Sequence, residues 1–403
     1  MAGASPHAQV SYDYPTRFKR KTMSDTSAAF LSEQEIMIRD AARKVAQEVV
    51  GATAAERDRT GAWPHAELKA VAELGFLGMH IPEESGGAGM SFPEYCLCIE
   101  EFAAADAGFA TILHVHNGMA DMLHRFGTEA QKAKYLAGMI SGELIAAGLL
   151  TEPQAGSDTA AFRTTARRDG DHYVLNGSKQ FISNGNEAGI AFAIAASTET
   201  AEGRKGPSMF IIDPREPGYI VTRVESKMGQ RSAHVAAIQL DNCRVPAHNL
   251  LAEEGTAYKR LMATLSEGRI GIAAVAVGGA RAALEAAVKY AQEREAYGAP
   301  IINLQGVAFD LADMATQFEV AQNYMLHAAR LHYAGVPCAK EASIAKLFAS
   351  EMAEKVCSEA LQIHGGYGYL SDFPVERYCR DVRVTKIYEG TSHIQKVIIA
   401  RNL

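Results

Sequence analysis

Residues 151–158 read TEPQAGSD, and the character of the chain changes at this octamer. Before it, from about Leu31 to Gly148, apolar residues recur at helical spacing. After it, short alternating runs separated by turn residues continue to about Leu251. Helical spacing returns at about Leu261 and lasts to the end of the chain. The octamer by itself is a polar turn with helix-capping residues. The sequence therefore predicts helices, then β-structure, then helices.

This pattern predicts an α+β multidomain fold. The expected segments are a flexible N-terminal extension (1–30), an N-terminal helical domain (31–148), a middle β-domain (149–260) and a C-terminal antiparallel helical bundle (261–403). The extension contains Arg17, Lys19, Arg20 and Lys21 but no apolar stretch, so a secretory signal is excluded.

Turn residues divide these blocks into elements. Helical spacing from Pro93 to Arg125 predicts a helical stretch that ends at Gly127. In the middle block, Asp169-Gly170 and Asn176-Gly177 predict two turns that bound a short strand. The C-terminal helices are expected to end near Arg294, to run from about Gln305 to Tyr333, to run from about Lys340 to His364, and to follow Thr391.

Composition and charge exclude several classes of protein. A net charge of −7 argues against nucleic acid as a partner, because phosphate binding requires a basic face. No run of 18 or more apolar residues appears, so we expect no membrane span. Six cysteines are too few for a disulfide scaffold, and none completes a metal site. We therefore expect reduced thiols and a cytoplasmic location, or the mitochondrial matrix if the source is eukaryotic.

Neither common nucleotide-binding loop is present. The glycines of Gly365-Gly366-Tyr367-Gly368 follow a predicted helix instead of a strand, which does not fit a Rossmann fingerprint. No Walker A loop occurs either. Any nucleotide cofactor must be held in another way.

The octamer resembles the T-E-P-x-A-G-S-D signature of the acyl-CoA dehydrogenase family. Other segments match that family in the same order, and together they cover about residues 31–403. They are Pro82 to Gly87, Lys179 to Asn184, Arg294 to Gly298 with Gln305, Gln362 to Gly368, and Tyr388 to Thr391. One such motif is moderate support, and collinear motifs are strong support.

The resemblance implies an FAD enzyme that converts an acyl-CoA thioester to the trans-2-enoyl-CoA and passes electrons to an electron-transfer flavoprotein. It also implies a homo-oligomer, expected to be a tetramer. The segment from Leu265 to Ala273 is most similar to the short-chain branch, so short or medium acyl chains are expected. The chemistry requires a carboxylate base, donors to the thioester carbonyl and a dry slot against the flavin. Burial of a carboxylate under the substrate raises its pKa by desolvation.

The resemblance assigns the base to Glu389. Some family members place the base on the long helix instead, immediately before the arginine that is Arg269 here. This chain has Gly268 at that position, which supports Glu389. The neighbouring Glu267 should face another way, because successive helix residues are about 100° apart.

The resemblance also implies a set of cofactor contacts. They are Leu150, Thr151, Ser157, Phe181, Ser183, Arg294, Gln305, Gln362, Gly365, Gly366, Thr391 and His393. Arg294 and Gln305 would reach the FAD of a neighbouring subunit. Phe181 stands where Trp is commoner and keeps an apolar face for the ring. Tyr297 replaces the usual Phe, and His393 replaces Glu or Gln.

The expected substrate contacts are Ser157, Ser266, Arg269, Tyr388 and Gly390. Two departures from the family pattern affect the arm of CoA: Ser266 replaces an Asp, and residues 231–235 read RSAHV where R-x-S-x-T is usual. His114 and His116 could line the acyl pocket or fill the core. Ser392 and Gln395 have the spacing of a capping box for the last helix.

Three alternative functions stay open at this point. An acyl-CoA oxidase usually has an extra C-terminal domain, whereas this chain ends shortly after Glu389. A DNA-associated flavoprotein of the alkylation-response type requires a basic C-terminal domain. An inactive CoA-binding flavoprotein normally lacks the base, which is present here.

Overall fold

The structure is a computed structural model that describes residues 30–199 and 205–403. The predicted N-terminal extension lies outside the described residues, apart from Phe30. The helices of the N-terminal part are α1 Glu33–Val45, α2 Ala54–Thr60, α3 His65–Glu73, α4 Phe92–Ala105, α5 Ala107–Phe126 and α6 Glu129–Ile140. Capping boxes start α1, α4 and α6, each with a Ser or Thr side chain that accepts from the third helical amide.

The helical stretch predicted from Pro93 to Arg125 is two helices, because Asp106 interrupts it. Asp106 has an extended backbone (φ −157°, ψ 105°), and its carboxylate accepts a hydrogen bond from the Phe109 amide at 3.1 Å. The same residue therefore ends α4 and caps α5. Helical periodicity alone hides this break, since apolar spacing continues on both sides of it.

The middle part is one eight-stranded sheet. Its strands are β1 Ala146–Leu149, β2 Thr165–Asp169, β3 His172–Ser183, β4 Ile190–Glu199, β5 Lys205–Ile212, β6 Tyr219–Val224, β7 Val235–Pro246 and β8 Leu250–Leu251. The strand order is β6-β7-β3-β2-β4-β5-β8, and β1 adds to β4 in parallel. The strand β1 follows directly from the helices, so the TEPQAGSD octamer leaves the sheet at the boundary between the two parts.

The turn predicted at Asn176-Gly177 is wrong. The strand β3 continues through both residues to Ser183, with only a register shift against β7 between Leu175 and Gly177. A Cβ atom at Gly177 would lie 2.3 Å from the Thr164 Oγ1 atom, so this glycine permits a close approach of the preceding loop. Asn-Gly is therefore a packing feature here and not a hairpin turn.

The C-terminal part is a helical bundle. Its elements are α7 Ala257–Glu293, the short hairpin β9 Glu295–Ala296 with β10 Ala299–Pro300, α8 Gln305–Tyr333, α9 Ala339–His364, α10 Val375–Val382 and α11 Ser392–Arg401. The long helix α7 packs against α4, α8 and α9, which joins both helical parts in one core. A Cβ at Gly278 would lie 2.2 Å from the Glu100 carbonyl oxygen, which shows how closely α7 approaches α4. The predicted fold class is confirmed.

Among the described residues, α7 is the one helix that is long and apolar enough to cross a membrane by length and composition. The sequence pattern did not predict a helix with this length and apolar content. In the protein, 89% of its most apolar 18-residue window is buried. A helical window that is mostly apolar is typical of the centre of a large core, and this position accounts for its composition.

Candidate active site

Glu389 and Gly268 meet at the centre of the candidate site. Glu389 lies in the turn before α11, and Gly268 lies in the long helix α7. A Cβ atom built on Gly268 would lie 2.7 Å from the Glu389 Oε2 atom. The Glu389 carboxylate therefore occupies the space that a side chain at position 268 would need.

Glu267 faces away from this centre. Its carboxylate pairs with the Arg125 guanidinium at 2.6 Å and with the His332 ring at 3.2 Å. The rotation of about 100° per helical residue separates it from Gly268. The helix α7 thus leaves space for Glu389 at Gly268, and its own acid, Glu267, is held in separate ion pairs.

Arg269 is the cation beside the Glu389 carboxylate. It is only 8% exposed, and its Nε atom has no hydrogen-bond partner in the part of the chain that the structure describes. Burial lowers the pKa of Arg269, and the charge of Glu389 offsets part of that effect. Ser266, three residues before Arg269 in the same helix, is half-buried. An ammonium or guanidinium group with an unused donor is suited to a polar ligand atom.

Tyr388, which precedes the base in the C-terminal part, is hydrogen-bonded to the N-terminal and middle parts of the chain. Its hydroxyl lies 3.2 Å from the Thr111 Oγ1 atom of α5 and accepts from the Gln230 Nε2 atom at 3.3 Å. Gln230 also accepts from the Thr111 hydroxyl at 3.0 Å. Burial raises the pKa of Tyr388 to about 12, so the phenol stays neutral. Gln230 was missed by the sequence reading, because a lone glutamine before RSAHV carries no pattern.

The two histidines of α5 have different environments. His116 is held by backbone groups on both ring nitrogens, 3.1 Å from the Met139 carbonyl oxygen and 3.1 Å from the Ala146 amide. His114 bonds the Tyr95 hydroxyl at 2.7 Å through its Nδ1 atom. Its ring covers Gly271 of α7, where a Cβ would lie 2.3 Å from the ring. His116 is therefore core filling, and His114 lies one helical turn from the base.

The residues expected to contact the flavin ring lie on adjacent segments of the β-domain. The Thr151 carbonyl oxygen accepts from the Gln180 amide at 2.9 Å, which places Thr151 beside Phe181. Phe181 has a positive φ of 57° and is 66% exposed, so its ring is presented to solvent. Ser183 follows at the end of β3, where it pairs with Val235. An exposed flat ring on a segment next to Thr151 and Ser183 can support a planar ligand.

A buried ion pair below these segments was missed by the sequence reading. Lys179 is 1% exposed, and its Nζ atom donates to the Glu152 carboxylate at 2.8 Å. It also donates to the Leu150 carbonyl oxygen at 3.3 Å. Burial would raise the pKa of Glu152, but hydrogen bonds from Lys179 and the loop backbone lower it to about 2. The pair ties the TEPQAGSD turn to β3. Both residues belong to motifs quoted above, and this was the signal in the sequence that could have identified the pair.

Arg294 and the glycines after α9 line one cavity of about 400 Å³. The Arg294 guanidinium lies 5.6 Å from the centre of the Tyr367 ring. Apart from its chain neighbours, a Cβ at Gly365 or Gly366 would meet no atom of the described residues within 4 Å. Gln305, Gln362, Ser157 and His393 are exposed, and the residues that line this cavity do not include them.

The capping box predicted at Ser392 and Gln395 is wrong by one residue. Thr391 is the N-cap of α11, and its hydroxyl accepts from the Ile394 amide at 3.3 Å. The Gln395 Nε2 atom instead donates to the carbonyl oxygens of Glu389 at 3.2 Å and Gly390 at 2.8 Å. Spacing alone could not distinguish the two starts, because Thr and Ser are both good caps.

The unusual RSAHV segment is used for contacts between the N-terminal part and the sheet. The Ser232 hydroxyl donates to the Asp106 carboxylate at 3.3 Å. The His234 ring lies 2.8 Å from the Gly61 carbonyl oxygen and 2.9 Å from the Glu187 carboxylate. These side chains therefore have structural partners. Within residues 30–199 and 205–403, no cluster of His, Cys, Asp and Glu has the arrangement of a metal site.

Family models match almost the whole described chain. The N-terminal domain of acyl-CoA dehydrogenase matches residues 32–143, the middle domain matches 147–243, and the C-terminal domain matches 257–403. An acyl-CoA dehydrogenase of Bacillus subtilis is 43% identical, over 93% of this chain and 98% of the relative. The mouse mitochondrial short-chain specific acyl-CoA dehydrogenase is 42% identical, over 93% of this chain and 90% of the relative.

Solved structures are similar over the same range. Butyryl-CoA dehydrogenase of Megasphaera elsdenii has a TM-score of 0.89 and 38% identity, over 92% of this chain and 98% of its own. A chain in the structure of the electron transferring flavoprotein of Acidaminococcus fermentans has a TM-score of 0.89 and 42% identity, over 92% and 98%. A Mycobacterium smegmatis glutaryl-CoA dehydrogenase in complex with FADH2 has a TM-score of 0.89 and 29% identity, over 94% and 96%. With three family domains in order and such relatives along nearly its whole length, the chain belongs to the acyl-CoA dehydrogenase family of oxidoreductases.

Proposed function

We propose that this protein is an FAD-dependent dehydrogenase of short-chain acyl-CoA thioesters that forms the trans-2-enoyl-CoA. The observation that carries the proposal is the Glu389 carboxylate seated in the gap at Gly268. Because position 268 has no side chain, Glu389 is the acid at the place where the family has its base. Glu389 is exposed, so a substrate can reach it.

Glu389 takes the proton from the α-carbon in this proposal. A thioester that covers the carboxylate removes water from it and so increases its proton affinity. The buried Arg269 cation lies close to the same carboxylate and favours negative charge that develops nearby. Tyr388 stays neutral, and the hydrogen bonds of its hydroxyl with Thr111 and Gln230 hold its side chain in place next to the base. Bound FAD would supply the acceptor for the hydride from the β-carbon.

The residues present fit FAD. The exposed Phe181 ring would offer a face to the isoalloxazine, and Thr151 on the adjacent segment and Ser183 on the same segment would offer hydroxyl groups. The cavity at Arg294 combines an exposed guanidinium with two glycines that leave space for phosphate oxygens. In a homotetramer, the Arg294 cavity of one subunit would meet the Phe181 segment of another. The similarity to the chain in the Acidaminococcus structure supports an electron-transfer flavoprotein as acceptor.

A short acyl chain is supported by His114. Gly268 and Gly271 are three residues apart and share one face of α7, with Glu389 above the first and His114 above the second. An acyl chain that ran along this face would therefore meet the His114 ring about 5 Å beyond the base, one helical turn away. Burial lowers the pKa of His114, so the ring stays neutral there. The short-chain and butyryl relatives agree with this length.

The visible spectrum of the purified protein tests the proposal. We expect flavin absorption bands, and we expect them to bleach without oxygen on addition of acyl-CoA thioesters. Bleaching should be fastest with short chains and should fall steadily as the chain lengthens. A protein without flavin bands, or bands that no acyl-CoA bleaches, would contradict the proposal.

His114→Ala should shift the preference to longer acyl-CoAs. Removal of the ring extends the slot along α7, and each methylene that becomes buried contributes about 0.8 kcal/mol. We therefore expect the ratio of kcat/KM for a long chain to that for a short chain to rise roughly 10-fold or more. His116→Gln, two residues away, is the matched control and should leave the ratio unchanged. An unaltered ratio in His114→Ala would show that the ring does not end the slot.

Arg294→Ala should weaken FAD binding while the fold persists. A charge-assisted bond to phosphate contributes roughly 1.5–3 kcal/mol, so the FAD dissociation constant should rise about 10- to 100-fold. The Arg294 side chain is exposed, so its removal leaves no buried cavity. Equilibrium dialysis measures FAD retention, and light scattering at the same dilutions measures the oligomer. A dilute, stable monomer that stays saturated with FAD would contradict supply of this arginine by a neighbour.

A further inference from the structure

The base lies in an unusual backbone conformation. Glu389 and Gly390 both have positive φ angles, 52° and 89°. The left-handed region is disfavoured for a residue with a Cβ atom, and such residues persist only where neighbouring contacts hold them. The contacts around this turn therefore determine where the Glu389 carboxylate points.

Two buried side chains hold the carbonyl oxygens of this turn. The Lys346 Nζ atom of α9 donates to the Gly390 carbonyl oxygen at 2.6 Å. The Gln395 amide of α11 donates to the same oxygen at 2.8 Å and to the Glu389 carbonyl oxygen at 3.2 Å. Lys346 and Gln395 are both fully buried. A Cβ at Gly390 would lie 2.7 Å from the Gln395 Nε2 atom, so the arrangement also requires a glycine.

Lys346 brings a positive charge that packing alone does not explain. It lies on the buried stripe of α9 with Ala342, Ala345 and Ala349, where a lysine is rare. Its hydrogen bond goes to a carbonyl group and not to a carboxylate. An ammonium group buried in this way is costly unless an opposite charge lies near.

Three charged groups act on the Lys346 ammonium. Burial lowers the pKa of Lys346 to about 8, Glu389 raises it, Arg269 of α7 lowers it and Glu351 of α9 raises it. Glu351 already accepts from Lys386 at 2.6 Å and from the Ser392 hydroxyl at 2.9 Å. The Glu389 carboxylate is thus the acid that is left to balance Lys346.

We propose that Lys346 is a positioning residue for the base, which holds the Glu389-Gly390 turn so that the Glu389 carboxylate stays at the Gly268 gap before substrate binds. This inference rests on the proposed role of Glu389. The hydrogen bond to the Gly390 carbonyl oxygen acts on the backbone of the turn and, through it, on the direction of the carboxylate. A purely structural lysine would change the stability of the protein without a specific effect on the rate of the chemical step.

Lys346→Met and Lys346→Arg test the proposal in the FAD-loaded enzyme. Single-turnover flavin reduction by a short acyl-CoA is measured from pH 5 to 9. The maximum rate should fall about 100-fold in Lys346→Met with KM changed only a few-fold, because a carboxylate displaced by about 1 Å reacts poorly while the contacts that bind the substrate remain. Lys346→Arg keeps a donor to the turn and should recover much of the rate.

Controls separate this effect from misfolding. Lys355→Met makes the same change at an exposed site on α9 and should leave the maximum rate unchanged. Gln395→Met removes the second donor to the same turn, so it should also lower the maximum rate with little change in KM. If Lys346→Met melts like the original protein and its maximum rate does not fall, the proposal is wrong.

Hydrogen exchange of the amides in residues 387–394 provides a readout without turnover. Lys346→Met and Gln395→Met should each speed exchange there about 10-fold or more, and Lys346→Arg should speed it less. Unchanged exchange in both variants would overturn the holding role, even where Lys346→Met is too unstable for kinetics. If the original enzyme is not bleached by any acyl-CoA, the proposed function fails, and exchange still tests the role of Lys346.

Discussion

Glu389→Gln should bind FAD and acyl-CoA and yet reduce the flavin roughly 10²- to 10⁴-fold more slowly. The amide has almost the same shape as the carboxylate, but it cannot accept the α-proton. The loss should therefore appear in the rate of the chemical step and not in KM or in thermal stability. Anaerobic stopped-flow bleaching measures the step directly.

The neighbouring acid gives a matched control for this variant. Glu267→Gln changes a glutamate one position from the alternative base site, and its amide can still accept from Arg125. We expect turnover within a few-fold of the original. If Glu267→Gln abolished bleaching while Glu389→Gln retained it, the base assignment would be reversed.

Gly268→Ala should leave the protein folded and lower turnover about 100-fold. The new methyl group would lie 2.7 Å from the Glu389 Oε2 atom, so the carboxylate must move. The far end of a side chain moves at little cost, and alanine favours a helix over glycine by up to about 1 kcal/mol. Stability should thus be unchanged or slightly higher. A displacement of about 1 Å at the reacting group is enough for a 100-fold loss.

Two comparisons identify the cause of that loss. Gly118→Ala places a methyl group in α5 where, among the described residues, no atom outside the helix's own turns lies within 4 Å, and it should leave turnover unchanged. The double variant Gly268→Ala, Glu389→Gln should be no slower than Glu389→Gln alone, because both changes act on one carboxylate. Additive losses in the double variant would mean that Gly268 serves some other purpose.

Local patterns in the sequence were sufficient for the order of helices and strands. Apolar spacing of 3.6 or 2 residues reports which face of an element is buried, and this information is contained in each segment. The helix Gln305–Tyr333 was predicted with its observed bounds. Asp106 and Asn176-Gly177 were misread, because a cap and a close approach depend on partners outside the pattern.

The candidate site was likewise predictable from the sequence only in part. Its motifs were recognisable one by one, and the missing side chain at Gly268 already favoured Glu389 as the base. The residues that hold the motifs were not recognisable. Lys346 reaches a carbonyl group 44 residues away, and Lys179 reaches a carboxylate 27 residues away. A charged residue on an apolar stripe was a signal for Lys346, but it did not name the partner.

The sequence by itself determined the family, the order of the domains and the identity of the chemical groups. Only the tertiary structure decided how those groups meet: the Glu389 carboxylate in the gap of α7, His114 one turn beyond it, and the buried donors behind the turn. The physical reason is that periodicity and motif spacing describe contacts along the chain. Hydrogen bonds and close approaches between distant segments depend on how the helices and the sheet pack, and single residues carry no periodic signal of their distant partners.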